Sequence, residues 1–158
     1  MGKNNEILEF LKELGFFDSL EASHLEFLAG CGERREVDSD EVLFRYDDKA
    51  SEFFIVAEGE VVLEVAALEG PSLKVQEVDS GKVIGWSWLI PPYRWNFQGR
   101  AEKPSVVYAF DGDKVREHCE EDHTFGYELL KLFAELMSIR LAYARDRMVD
   151  EWQVPGFA

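Results

Sequence analysis

Ten residues near the middle of the chain carry its densest chemistry: Gly85-Trp86-Ser87-Trp88-Leu89-Ile90-Pro91-Pro92-Tyr93-Arg94. A glycine ahead of a short helical turn frees backbone N–H groups at a helix N-terminus, where an anion is favoured. An arginine closing such a loop meets a phosphate with a charge-assisted, often bidentate, hydrogen bond. Trp86, Trp88, Tyr93 and Trp95 crowd the same stretch. They either pack a pocket shut or line one for an aromatic or different anionic ligand.

Other chemistries fit poorly. Only His24, His118 and His123 occur, none on a predicted strand, so a barrel holding iron or manganese on inward histidines is not expected. His118, Cys119 and His123 have a metal-like spacing, but their steps span a short helix and its end with no fourth ligand in view. No metal or other cofactor is therefore predicted. Glu120-Glu121-Asp122 and Asp47-Asp48 read as solvated turns and helix ends. Gly-x-Ser-x-Gly, P-loop and Rossmann fingerprints are absent, so no enzyme is expected.

Composition narrows the partners. A formal net charge of −15, with basic residues scattered singly or in pairs, opposes binding to DNA and to anionic membranes. No apolar run reaches the length of a membrane helix, and Met1-Gly2-Lys3-Asn4-Asn5 has no signal-peptide character. A cytoplasmic protein is predicted. Its cysteines, Cys31 and Cys119, lie far apart and read as free buried thiols.

The elements that must position the central loop follow from hydrophobic period. Ile7, Leu8, Phe10, Leu11 and Leu14 predict a helix over 6–14 closed by Gly15, and a second helix fits 21–30. Short stretches rich in β-branched and aromatic residues then predict strands at 36–46, 53–57, 61–66, 73–78, 82–84, 95–101 and 106–110. Turn signals such as Glu58-Gly59 and Asp79-Ser80-Gly81 separate them. In the stretch 95–101, Trp95, Phe97, Gly99 and Ala101 share one face and Asn96, Gln98 and Arg100 the other. This is the pattern of an α+β fold built on a β jelly-roll barrel.

After Asp111 the helical period returns, over 113–121 and again from about 124 to 151, a length of roughly 40 Å. The long helix carries two apolar rows. One is Leu129, Leu132, Phe133, Leu136, Ile139 and Tyr143. The other is Leu130, Ala134, Met137, Leu141, Ala144 and Met148, a coiled-coil spacing with small residues that permit close approach. A small barrel cannot bury both rows, so a homodimer is predicted. The whole chain, 1–158, reads as one domain: N-terminal helices over 6–34, barrel over 35–110 and C-terminal helices over 113–151.

Local motifs add a resemblance. Asp40-Glu41-Val42-Leu43-Phe44 resembles the opening strand of the cyclic-nucleotide-binding domain. Phe53-Phe54-Ile55-Val56-Ala57-Glu58-Gly59-Glu60-Val61-Val62-Leu63 looks like its signature hairpin. Val78-Asp79-Ser80-Gly81-Lys82-Val83-Ile84-Gly85 is similar to the approach to its ligand cassette, and Arg140-Leu141 sits where its dimer helix commonly reads Arg-Leu. The pattern is similar to the effector domain of the catabolite-activator and fumarate-nitrate-regulator family. Those proteins continue into a helix-turn-helix domain. Here the chain stops at Ala158, which predicts a sensor without one.

The resemblance implies that the cassette takes a cyclic phosphate, with Gly85, Ser87 and Arg94 as the phosphate candidates and Arg100 in reserve, and Trp86 and Trp88 beside them. Two departures change the expected ligand. Trp86 stands where the family places a ribose-binding glutamate, and Ala144 and Arg145 replace hydroxyl side chains that face the purine. Weak binding of cyclic AMP is expected. The predicted function is a stand-alone regulatory sensor that binds a nucleotide-like or other anionic small ligand and signals through its dimer helix to an effector protein. The alternative is a ligand-free dimeric scaffold with a degenerate cassette.

Overall fold

The computed structural model describes residues 2–65 and 69–152. Two helices, α1 (Gly2–Leu14) and α2 (Ala22–Gly30), lead into eight strands: β1 (Gly32–Val37), β2 (Val42–Phe44), β3 (Glu52–Glu58), β4 (Glu60–Val65), β5 (Leu73–Asp79), β6 (Val83–Ile84), β7 (Gln98–Ala101) and β8 (Ser105–Asp111). Helices α3 (Gly112–Glu121) and α4 (His123–Trp152) follow. The strands form two antiparallel four-stranded sheets, ordered β1-β8-β3-β6 and β2-β7-β4-β5. Their inner faces pack together as a jelly-roll sandwich, the α+β architecture that the periods predict.

Several boundaries differ from expectation. The predicted strand at 36–46 is two strands, because Asp40 takes a positive φ of 70° and the chain turns between β1 and β2. The stretch 95–101 is a strand only from Gln98. Trp95 instead exchanges backbone hydrogen bonds with the Asp47–Asp48 turn. The face alternation there holds nonetheless, with Trp95, Gly99 and Ala101 buried and Asn96 exposed. Helix α1 begins at Gly2 rather than Glu6. Ala66, the last residue of the predicted strand at 61–66, lies outside the described residues. The β3–β4 hairpin turns on Gly59 at φ +93°, where a side chain would run into Ser105.

Helix α4 decides how the barrel is closed. Its buried row is Phe125, Leu129, Phe133, Leu136 and Arg140. Phe133 meets Phe53 and Trp88 edge-on at ring separations of 5.3 and 5.1 Å, locking the helix to β3 and to the central loop. Ile139 and Tyr143, expected on this row, are exposed. After Leu136 the inward step is four residues, not three, so the next position to enter the interior is an arginine. The second apolar row stays largely outside, with Leu130 45% and Leu141 71% exposed. No helix among the described residues is long and apolar enough to cross a membrane.

Candidate ligand site

The central loop leaves β6 at Gly85, whose φ of +106° turns the chain, and a Cβ there would stand 2.8 Å from the Trp95 ring. Only glycine fits both the backbone and the close approach. The loop then folds back on itself. Leu89 N–H donates to the Trp86 carbonyl, and the buried Trp88 indole donates to the Gly85 carbonyl at 3.0 Å. The expected short helix is a turn in the structure. From α3, Arg116 donates to the Trp88 carbonyl at 2.6 Å and lies 4.1 Å over the Tyr93 ring, so the loop is held from behind.

Gly85, Trp86 and Ser87 come together with Trp95, Asn96 and Phe97 around a narrow void. Its volume is about 10 Å³, room for about one water. Aromatic packing keeps it small. Trp95 stacks on Phe44 at 3.7 Å with nearly parallel rings, and Phe54 lies beside them. The buried Ser87 hydroxyl accepts from the Asn96 amide at 3.2 Å. Trp88 lies behind this void, fully buried between Phe53 and Phe133.

The two expected arginines are not gathered here. Arg94 is exposed on the outer edge of the loop, where it donates to the Asp47 carbonyl at 2.7 Å. Arg100 projects from β7 into an acidic cluster, with Glu64 and Asp40 at 3.0 Å and Glu102 at 3.2 Å. The hydrogen bond that Arg100 donates to Glu64 leads the interactions that raise the arginine's already high pKa. Glu64 itself is buried and also accepts from Gln98.

A different arginine faces the void. Arg140 of α4 is 2% exposed and lines both the small void and a larger groove of about 530 Å³ outside it. Trp86, Asn96 and Phe97 form the wall between the two, and Met137, Leu141 and Ala144 form the groove's helical side. The guanidinium donates to Gln76 Oε1 and to the Val83 carbonyl, both at 2.6 Å, while its buried Nε has no partner. Both acceptors are neutral, and among the described residues no carboxylate pairs with it. Burial pushes its pKa down to about 10, which still leaves it a cation at neutral pH. An isolated buried charge ordinarily carries a penalty of several kcal/mol.

Arg140 is not among the residues predicted from the sequence, although a signal for it exists. The row Leu129, Phe133, Leu136 continues at helical spacing to Arg140, so a charged side chain stands on a buried apolar face. Asn96 gives no such signal, since its role depends on Ser87 across the loop. Of the residues with metal-like spacing, His123 is exposed and the half-buried Cys119 thiol is pushed up to about 11 by burial.

The cyclic nucleotide-binding domain family matches over residues 34–122, more than half of the chain. A candidate cyclic nucleotide-binding protein of Geobacter metallireducens GS-15 is 30% identical, with a TM-score of 0.76 over 84% of this chain and 96% of that one. The sensor domain of the transcriptional regulator DNR from Pseudomonas aeruginosa is 17% identical, with a TM-score of 0.72 over 100% of this chain and 99% of its own. The regulatory subunit of a cAMP-independent protein kinase A from Trypanosoma brucei is 19% identical, with a TM-score of 0.68 over 84% of this chain and 47% of that one. The last two show a shared fold. No curated protein matches the sequence. On the family match and the Geobacter relative together, the chain belongs to the cyclic nucleotide-binding domain family, whose members are regulatory rather than catalytic modules.

Proposed function

We propose that this domain is a cytoplasmic regulatory sensor that receives a small organic anion where the central loop meets α4, with Arg140 as the anion receptor. One observation carries the proposal: a buried guanidinium with, among the described residues, a free N–H and no carboxylate to compensate it. A ligand carboxylate or phosphate would supply the missing charge, and charge-assisted pairs in a desolvated setting are the strong ones. The groove beside Arg140 has the volume of a small-molecule site, and its apolar wall of Trp86, Phe97, Met137 and Leu141 suits a ligand with an apolar body. In this scheme Gly85, Trp86 and Ser87 line the inner side, Trp88 anchors the loop, and Arg94 and Arg100 stand away from the anion.

The same arginine links recognition to output. It joins α4 to Val83, two residues before Gly85, and to Gln76 of β5, so an anion that draws the guanidinium away would loosen α4 from both strands. The exposed row through Leu130, Met137 and Leu141 would pair with a second copy in a two-fold dimer, roofing the groove and passing the shift to an effector protein. The Trypanosoma brucei regulatory subunit shares this fold and belongs to a protein kinase A described as cAMP-independent.

The Phe44–Trp95 stack favours a second reading, a ligand-free dimeric scaffold, because a nucleotide cannot enter a 10 Å³ void without moving Trp95. Native mass spectrometry of the purified protein, followed by calorimetry with cyclic AMP, cyclic GMP, inorganic phosphate and a set of aromatic carboxylates, separates the two. The sensor predicts at least one anion that binds the wild type and fails to bind Arg140→Met, with both cyclic nucleotides weak. No binding by any anion selects the scaffold. Met137→Asp with Leu141→Asp should give monomers in sedimentation, and a wild type that is already monomeric at micromolar concentration would remove the dimer.

A further inference from the structure

We propose that His24, His118 and Asp122 form a binding site for a divalent first-row transition ion, at the corner where α2 meets the α3–α4 junction. His24 lies in the first turn of α2, His118 in the last turn of α3, and Asp122 caps α3 directly before α4. The sequence separates His24 from Asp122 by 98 positions, yet His24 Nε2 and Asp122 Oδ2 are 3.1 Å apart. One donor atom from each of the three residues falls within 4.8 Å of the others. Donors around a tetrahedral ion at 2.0–2.1 Å stand about 3.4 Å from one another, so a small rotation of the imidazoles closes the set.

The surroundings hold these donors in place. Asp122 Oδ1 accepts from the Thr124 and Phe125 backbone N–H groups, both at 3.1 Å, which leaves Oδ2 directed at His24. Phe27 stacks on His118 at 4.1 Å, and Phe125 packs against His24 and His118 at 4.8 and 5.0 Å. Rings flanked by aromatic packing and a carboxylate oriented by backbone donors are the supporting shell that a metal site needs. Two imidazoles and a carboxylate suit zinc, nickel, copper or iron, and the half-buried position leaves room for water as a further ligand. The chain's formal net charge of −15 also favours cation uptake. A bound ion would clip the N-terminal helices to the root of α4, independently of any ligand at Arg140.

Chelator-treated protein titrated with zinc tests the site. One ion per chain is expected at micromolar or tighter affinity, with a higher thermal midpoint, since an ion that binds the folded state alone stabilises it. His24→Ala and His118→Ala should each weaken binding by about tenfold or more, following the sensitivity of metal sites to their shells. Cobalt substitution of the wild type gives a readout independent of variant folding. Visible absorption of a tetrahedral nitrogen–oxygen site supports the proposal, and the weak spectrum of the aquated ion overturns it. Absence of stoichiometric zinc binding overturns it too, as does binding that persists unchanged in the folded double variant, which would place zinc on the acidic surface instead.

Discussion

Arg100 and Arg140 belong to the same domain and have opposite surroundings. Arg100, partly open to solvent, meets three carboxylates. Arg140, buried, meets a side-chain amide and a backbone carbonyl, and its Nε has no partner among the described residues. The first network is complete, so a ligand anion arriving there would have to displace the protein's own acids. The second is short of a charge and a hydrogen-bond acceptor, and an arriving anion would meet no competitor. On the proposed reading, the informative arginine is the uncompensated one.

The largest effect should come from the aromatic plug beside the void that Arg140 lines. Trp95→Ala removes the ring stacked on Phe44 and should cost about 3–5 kcal/mol in urea unfolding. If the loss is under about 1 kcal/mol, the interior is not closed by that stack and the contrast weakens. Next is the pair Arg100→Met and Arg140→Met. The first strands buried Glu64 without its cation and should cost about 3 kcal/mol, part of the charge still being met by Gln98. The second removes a buried charge along with two hydrogen bonds, opposing effects that should leave less than about half that loss. Equal losses in the two variants would break the distinction.

Trp86→Glu sharpens it further by placing a carboxylate on the wall that Arg140 shares. The variant should lose any anion-induced rise in thermal midpoint that the wild type shows in phosphate, because the guanidinium is then paired internally. A retained response would locate the anion elsewhere. The smallest effect is in the pH dependence. Burial on folding lowers the Arg140 pKa from its ordinary value to about 10, so below pH 10 its buried charge opposes folding and above it the folded state sheds the proton first. This group's contribution to stability therefore rises with pH through that window. Urea midpoints at pH 8 and 11 should show the wild type gaining relative to Arg140→Met, and a gap that stays constant would mean the buried arginine does not titrate there.

Much of the scaffold was legible without coordinates. The order of helices and strands, the Gly59 hairpin, the alternating faces after Trp95 and the two apolar rows of α4 all rest on period and turn chemistry. Those are local properties of neighbouring residues, and so they survive without knowledge of the fold. Ile139 and Tyr143 were misplaced because apolar residues flank Arg140 on both sides, and period alone favours the apolar choice.

The candidate site depended on what the fold brings together. The sequence by itself determined a cyclic nucleotide-binding architecture, an acidic surface and a loop rich in tryptophan. Only the tertiary structure decided that Trp95 plugs the barrel, that Asp40, Glu64 and Glu102 converge on Arg100, and that His24 reaches Asp122. It also decided that Arg140 has no counter-charge among the described residues. Charge compensation is a sum over groups that are near in space, and here those groups come from strands and helices far apart along the chain.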